Sequence, residues 1–266
     1  MTTGRVQARI TFLGTGTSSG VPMIGCECAV CTSSDPRDKR LRPSIFVHVP
    51  DRIGILVDTT PDLRQQALTH GITRVDAILF THGHADHVLG LDEVRRYNHM
   101  QRAAIPCYAD RIAWETIRRT FYYVFDGMPR LGGGIPKVDA YELSGPVVLG
   151  GVRVVPVPLW HGTMPILGYR FGSFAYLTDC NRLDDAAWPL LEGVETLVID
   201  ALRDKPHTTH FTVAQALEVI ARIGPRRAWL THMAHDLGAA ATNARLPGGV
   251  ELAYDGLVLD VAVDVD

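Results

Sequence analysis

Short apolar runs that end in a histidine or an acid recur along this chain. Ile53 to Val57 leads into Asp58, Ala77 to Phe80 into Thr81-His82, and Val152 to Leu159 into His161. Further on, Phe174 to Leu177 leads into Asp179, Thr196 to Ile199 into Asp200, and Arg227 to Leu230 into Thr231-His232. Apolar runs without polar alternation predict strands covered on both faces. The pattern therefore describes a buried sheet whose C-terminal rim carries the chemistry. Ala8 to Leu13 alternates as a half-exposed strand does. Pro156 and Pro158, having no N–H for a ladder, place part of the 152–159 strand at an edge or a bulge.

Three helices are legible. Val213 to Ile223 is introduced by Thr212 with Gln215 three residues on, a capping box, and is stopped by Gly224-Pro225. Pro61 to His70, ended by Gly71, predicts a second helix, and Leu91 to Met100 a third. Two pairs of segments echo each other: residues 78–82 with 228–232, and Leu56-Val57-Asp58 with Val198-Ile199-Asp200. The echoes point to two similar halves whose strand ends meet at a seam. Residues 95–140, with Arg95-Arg96-Tyr97-Asn98, the aromatic run 121–125 and Gly132-Gly133-Gly134, read as a flap-like insertion between core strands. Such an insertion is either a mobile flap over a site or a surface excursion with its own small core.

Composition narrows the class. With 266 residues and 46% hydrophobic content, the chain buries a full core, expected as one domain over 1–266. A formal net charge of −3 offers no electrostatic footprint for a nucleic-acid backbone. Without an apolar signal region or a membrane-length apolar run, a soluble cytoplasmic protein is expected. Of five cysteines, Cys26, Cys28 and Cys31 cluster in a loop at about 20–35, a metal clip more than a disulfide framework.

The densest chemistry is His82-Gly83-His84-Ala85-Asp86-His87, directly behind the run Ala77 to Phe80. Imidazoles and a carboxylate suit Zn²⁺, Mn²⁺ or Fe. Four such groups exceed what one cation takes from one loop, which suggests two adjacent metals. His161, Asp179 and His232 complete the set. Asp179 is the natural bridge, because a carboxylate has two oxygens and an imidazole spans two ions poorly.

This arrangement resembles the metallo-β-lactamase superfamily. Its H-x-H-x-D-H signature is residues 82–87; its later histidine, bridging aspartate and final histidine match His161, Asp179 and His232; its first motif matches Asp58, which supports the metal loop without ligating. The resemblance implies an α/β fold, an αββα sandwich of two facing mixed sheets and flanking helices, with two metals at its edge. Residues 14–22 followed by Gly25 to Cys31, together with Thr231-His232-Met233-Ala234-His235, resemble the PhnP-like phosphoribosyl cyclic phosphodiesterase branch. In that branch three cysteines and a late histidine hold a structural zinc, here Cys26, Cys28, Cys31 and His235. A Cys₃His set closes a tetrahedral site, which suits structure over catalysis. Cys107 is expected in the core and Cys180 in the packing beside Asp179.

The implied activity is hydrolysis of a phosphodiester by a hydroxide bridging two divalent ions, Mn²⁺ or Zn²⁺. Phosphoribosyl 1,2-cyclic phosphate, cyclic nucleotides and small linear diesters are the candidate substrates. Asp86 and His210 are the catalytic candidates. His210, in Thr209-His210-Phe211-Thr212 before the capped helix, matches a phosphate-contacting histidine of the branch and is a candidate general acid; the alternative is a surface residue flanking the helix. Arg95, Arg96 and Asn98 are candidate contacts to phosphate or sugar, although an arginine pair on a helix is ordinarily a solvated face.

Three rivals share the fold. A tRNA 3′-processing-type nuclease carries a long basic Gly/Pro-rich arm, which is not found here. A lactonase or thioester hydrolase directs the same metals at a carbonyl. A pyrroloquinoline quinone biosynthesis-type protein tends to have a depleted ligand set, whereas all seven positions are filled here. A small phosphodiester is the expected partner, with no membrane and no stable nucleic-acid partner; a homodimer is compatible with the sequence.

Overall fold

The computed structural model describes residues 4–128 and 134–266. Its architecture turns on one strand, Val152–His161, which belongs to both sheets. Near its start it pairs with Val147–Leu149 and touches Val258–Val265 at Val152. Its later half runs antiparallel to Met164–Phe171. Pro156 and Pro158 fall in that later half, where the opposite side has no ladder between Val154 and Leu159. The two missing N–H groups therefore cost no hydrogen bond, as expected for an edge.

From this strand the first sheet continues through Val258–Val265, Gly4–Gly14, Ser44–Val49, Ile53–Val57, Ala77–Leu79, Ile105–Ala109 and Val138–Glu142. The second continues through Met164–Phe171, Phe174–Leu177, Thr196–Asp200, Arg227–Thr231 and Val250–Leu252. Both are antiparallel near the shared strand and parallel towards the outer edge.

The continuous apolar runs are explained by cover on both faces. Ile55 and Val57 belong to the core between the sheets, with Phe12, Tyr169, Phe171 and Trp229. Leu56 belongs instead to an outer core with Val94, Trp114 and Ile117 from the helices Val94–Gln101 and Arg111–Thr120. In the second sheet Val198 faces inward, while Leu197 and Ile199 pack against Val213, Ala216 and Ile220 of the helix Val213–Ile223. The result is the expected helix–sheet–sheet–helix layering. Each fully buried Leu, Ile or Phe contributes about 1.5–3 kcal/mol.

The helix Val213–Ile223 forms as expected: Gln215 N donates to Thr212 Oγ1 at 3.2 Å, and Thr212 N to Gln215 Oε1 at 2.9 Å. Gly224 closes it with left-handed backbone, φ 68°. The helix expected from Pro61 begins at Leu63, and Asp62 bonds Arg42 in place of a cap. The third resolves into a 3₁₀ turn, Leu89–Glu93, followed by Val94–Gln101.

The expected insertion at 95–140 is otherwise organised. Ile105–Ala109 and Val138–Glu142 extend the first sheet in parallel, and Trp114 and Phe121 are buried under it. Pro106, within the run, obscured this strand in the sequence. Of the glycine run, Gly132 and Gly133 lie outside the described residues. Cys107 and Cys180 are buried as expected. Among the described residues no helix is long and apolar enough to cross a membrane.

Removing the cap tests the local account. Thr212→Ala is expected to lower unfolding free energy by about 1 kcal/mol in urea denaturation; an unchanged midpoint shows that the capping box adds nothing to this helix.

Candidate metal centre

Three of the strand ends leave their strands abruptly. Asp58, Asp179 and His232 have φ of 66°, 59° and 60°, a left-handed backbone that non-glycine residues rarely adopt. Strain of this kind persists only where surrounding structure enforces it. The 82–87 loop is held from outside by the helix Arg111–Thr120: a Cβ at Gly83 would stand 2.7 Å from Thr116 Cβ, so only glycine fits.

The side chains converge on Asp179. Its Oδ2 stands 2.9 Å from His82 Nε2 and 3.1 Å from His87 Nε2. Its Oδ1 stands 3.1 Å from His161 Nδ1 and 3.7 Å from His232 Nε2. Asp86 Oδ2 lies 3.4 Å from His87 Nε2 and 3.7 Å from His232 Nε2. His161 also bonds the Asp179 carbonyl through Nδ1 (2.9 Å), and its ring lies 5.0 Å from that of exposed His84. Three overlapping groups result, all containing Asp179: Asp86-His87-Asp179-His232, His82-His84-Asp179 and Asp179-Asp200-His210-His232.

These contacts are close without being hydrogen bonds. His82 Nε2, His87 Nε2, both ring nitrogens of His232 and Asp179 Oδ1 are buried with no hydrogen-bond partner. A buried polar atom left unsatisfied costs about 1–3 kcal/mol, and several gathered here require another occupant. Nitrogen and oxygen ligands bind Zn²⁺ at about 2.0–2.2 Å, so tetrahedral neighbours stand roughly 3.4 Å apart. The observed spacings match, and the donor set fits divalent cations.

Charge points the same way. Burial, reinforced by His87, pushes His82 down to about 4, leaving the neutral imidazole that a ligand must be. Burial would raise the Asp179 carboxyl, but His232, His82 and His161 hold it well below the usual carboxylate range. Burial would lower His87, yet Asp86 and Asp58 lift it well above the ordinary histidine value, a surplus of negative charge around the ring that a bound cation would take up in place of a proton. Asp58 does not join the cluster: its Oδ2 accepts from His87 Nδ1 (2.7 Å) and Thr81 Oγ1 (2.8 Å), and its Oδ1 from Thr81 N (2.8 Å).

His210 is no surface residue, being only 8% exposed. Its ring stacks on His232 at 4.8 Å, and its Nδ1 lies 3.1 Å from Asp179 Oδ1 and 2.8 Å from Asp200 Oδ2. Burial pushes it down to about 4, so the imidazole is not a standing imidazolium. Asp200, buried and raised well above the carboxylate range by that burial, was missed as a site residue. Its signal was the echo of residues 56–58 in 198–200. Asp58 supports His87 in one half, and Asp200 supports His210 in the other.

Arg95, Arg96 and Asn98 lie elsewhere. They line a separate cavity that shares no residue with the cluster. Asn98 is a structural tie and no substrate contact: Nδ2 donates to Ala103 O (2.9 Å) and Lys137 O (2.8 Å), and Oδ1 accepts from Lys137 N (2.9 Å).

The cysteine loop meets the last ligand loop. Sγ atoms of Cys26, Cys28 and Cys31 stand 3.2, 3.4 and 3.6 Å from His235 Nδ1, and none is in a disulfide. Zn–S and Zn–N bonds of about 2.3 and 2.0 Å put sulfur and nitrogen roughly 3.5 Å apart in a tetrahedron. The Cys31 N–H lowers the Cys28 thiol to about 6, towards the thiolate that zinc binds.

A family model described as a beta-lactamase superfamily domain matches residues 54–233. The chain is similar to a solved diphosphatase from the PhnP family: 43% identity, TM-score 0.91, covering 98% of this chain and 99% of that one. It is 38% identical over 251 residues to a Porphyromonas gingivalis protein named octanoyltransferase, covering 94% of this chain and 51% of that protein. The chain thus spans about half the length of that relative. It is 29% identical over 220 residues to coenzyme PQQ synthesis protein B of Methylobacterium nodulans, covering 71% of each.

Removing the Asp58 support is expected to weaken metal retention at the histidine cluster about 10–100-fold in Asp58→Ala, with the cysteine-loop metal kept. Chelator titration followed by elemental analysis reads both sites; equal loss from both shows a general failure to fold and refutes a specific support.

Proposed function

Because the chain belongs to the metallo-β-lactamase superfamily and, within it, to the PhnP family, we propose that this hydrolase cleaves small or cyclic phosphodiesters at the Asp179-centred cluster. The observation that carries the reading is the buried His210–Asp200 pair set directly beside the unsatisfied ligand atoms of that cluster. Two divalent cations there, Mn²⁺ or Zn²⁺, supply an acidified water and neutralise charge on phosphoryl oxygens. His82, His84, Asp86, His87, His161, Asp179 and His232 would hold them.

His210 faces the charge that develops during phosphoryl transfer. With Nδ1 committed to Asp200, Nε2 is the nitrogen left to meet the phosphoryl group or leaving oxygen. Burial pushes the Asp200 carboxyl up and the His210 imidazole down, so the pair can share one proton between Oδ2 and Nδ1. Shifting that proton from Asp200 Oδ2 through the imidazole delivers it from Nε2 to the departing alkoxide. Nδ1 gains a proton as Nε2 gives one up, so the ring ends neutral and the negative charge is left on Asp200.

A phosphoanhydride presents the same phosphoryl centre, and the PhnP-family relative named a diphosphatase favours that second reading. Acyl transfer finds no support in the site. Cys180, adjacent to Asp179, is fully buried with its thiol pushed up by burial, which makes a poor acyl carrier.

Metal-dependent turnover of bis(p-nitrophenyl) phosphate, cyclic ribose phosphates, 2′,3′-cyclic nucleotides, a nucleoside diphosphate and a lactone tests the assignment. Diester or anhydride cleavage is expected; turnover of the lactone alone overturns it. His210→Ala should lower kcat about 10²–10⁴-fold with metal content unchanged. Asp200→Asn should lower kcat less and alter its pH profile; an unaltered profile removes Asp200 from the relay.

A further inference from the structure

The helix Val94–Gln101 ends on the wall of a cavity of about 740 Å³. Arg95, Arg96, His99, Arg102 and Lys137 line it, with no Asp or Glu among its lining residues. In a chain of net charge −3 this is a local excess of positive charge. Arg95 is shared with Asp92 at 3.2 Å, and Glu93 borders a neighbouring groove with Arg96. Arg102 and Lys137 have no ion-pair partner among the described residues. We propose that this cavity is a binding site for a multiply charged phosphate ligand, distinct from the metal centre.

Three observations support it beyond charge. First, the walls are preset. Buried Asn98 spends its whole carboxamide joining the Ala103 carbonyl to the Lys137 backbone, which fixes the helix end against the strand leading to Val138. Second, Arg102 occupies the left-handed position after the helix, φ 54°, where glycine is favoured. Arg102 takes this left-handed backbone and lines the cavity beside Lys137. Third, the volume falls in the range of small-ligand sites, and guanidinium forks pair with phosphate oxygens two at a time. A free nucleoside polyphosphate and a nucleic-acid strand share this chemistry.

The test uses the full-length, metal-loaded protein titrated with a non-hydrolysable nucleoside triphosphate analogue, inorganic triphosphate and a short single-stranded oligonucleotide. Saturable binding is expected to survive His82→Ala/His84→Ala, which disables the cluster. It should weaken at least roughly tenfold, a Kd change well above titration error, in Arg102→Gly/Lys137→Gln, with diester hydrolysis unchanged. Glycine at 102 keeps the left-handed backbone, and an unchanged thermal midpoint certifies the fold. Tighter, strongly salt-dependent binding of the oligonucleotide identifies the strand as ligand; preference for the triphosphates identifies the free nucleotide. Binding unaffected by the double variant, binding lost only with the histidines, or no binding by any probe overturns the proposal.

Discussion

The crowding of imidazoles and carboxylates at Asp179 is the constraint around which the molecule is organised. Neutral and charged groups are packed 2.9–3.7 Å apart, several of them buried with their lone pairs unsatisfied. Such a cluster is unfavourable in an ordinary interior, where buried polar groups are paired. It becomes favourable when cations take the lone pairs. The left-handed turns at Asp58, Asp179 and His232 follow from the same requirement, since each takes the chain sharply off its strand at the rim.

The two sheets contribute through a shared device. Each supplies an aspartate at a strand end that grips the Nδ1 of a histidine: Asp58 with His87, and Asp200 with His210. The first orients a candidate ligand, which is the usual role of a carboxylate behind a metal-binding imidazole. The second orients a ring beside the cluster, where it is free for proton transfer. One structural theme thus places a candidate ligand in one half and the proposed proton donor in the other.

The loop 231–238 links this centre to the cysteine site. His232 and His235 lie three residues apart and face different clusters. Arg40, fully buried, donates to the carbonyls of Ala234 and Leu237 and reaches Asp38 at 3.3 Å. Thr17 N donates to Met233 O at 3.1 Å. A buried guanidinium needs every one of these acceptors to offset its desolvation. The loop is therefore held from both sides, and a metal bound by Cys26, Cys28, Cys31 and His235 would add a further clamp to the segment that carries His232.

Much of this was legible in one dimension. The strand ends named the residues of the cluster because a strand delivers its last side chain to a rim, whatever the sheet order. The Thr212–Gln215 box and Gly224 set a helix by purely local hydrogen bonding. Other features depended on partners distant in the chain. Ile105–Ala109 looked like part of an insertion until Ala77–Leu79 and Val138–Glu142 paired with it. Asn98 looked like a substrate contact until the backbone of Lys137 came within reach. His210 stands beside the cluster, but the carboxylate that orients it, Asp200, comes from another strand and is not legible from the neighbours of His210 in sequence. Side-chain identity and local geometry are properties of the chain; desolvation, pairing and the spare charge of a cavity arise only when remote segments meet.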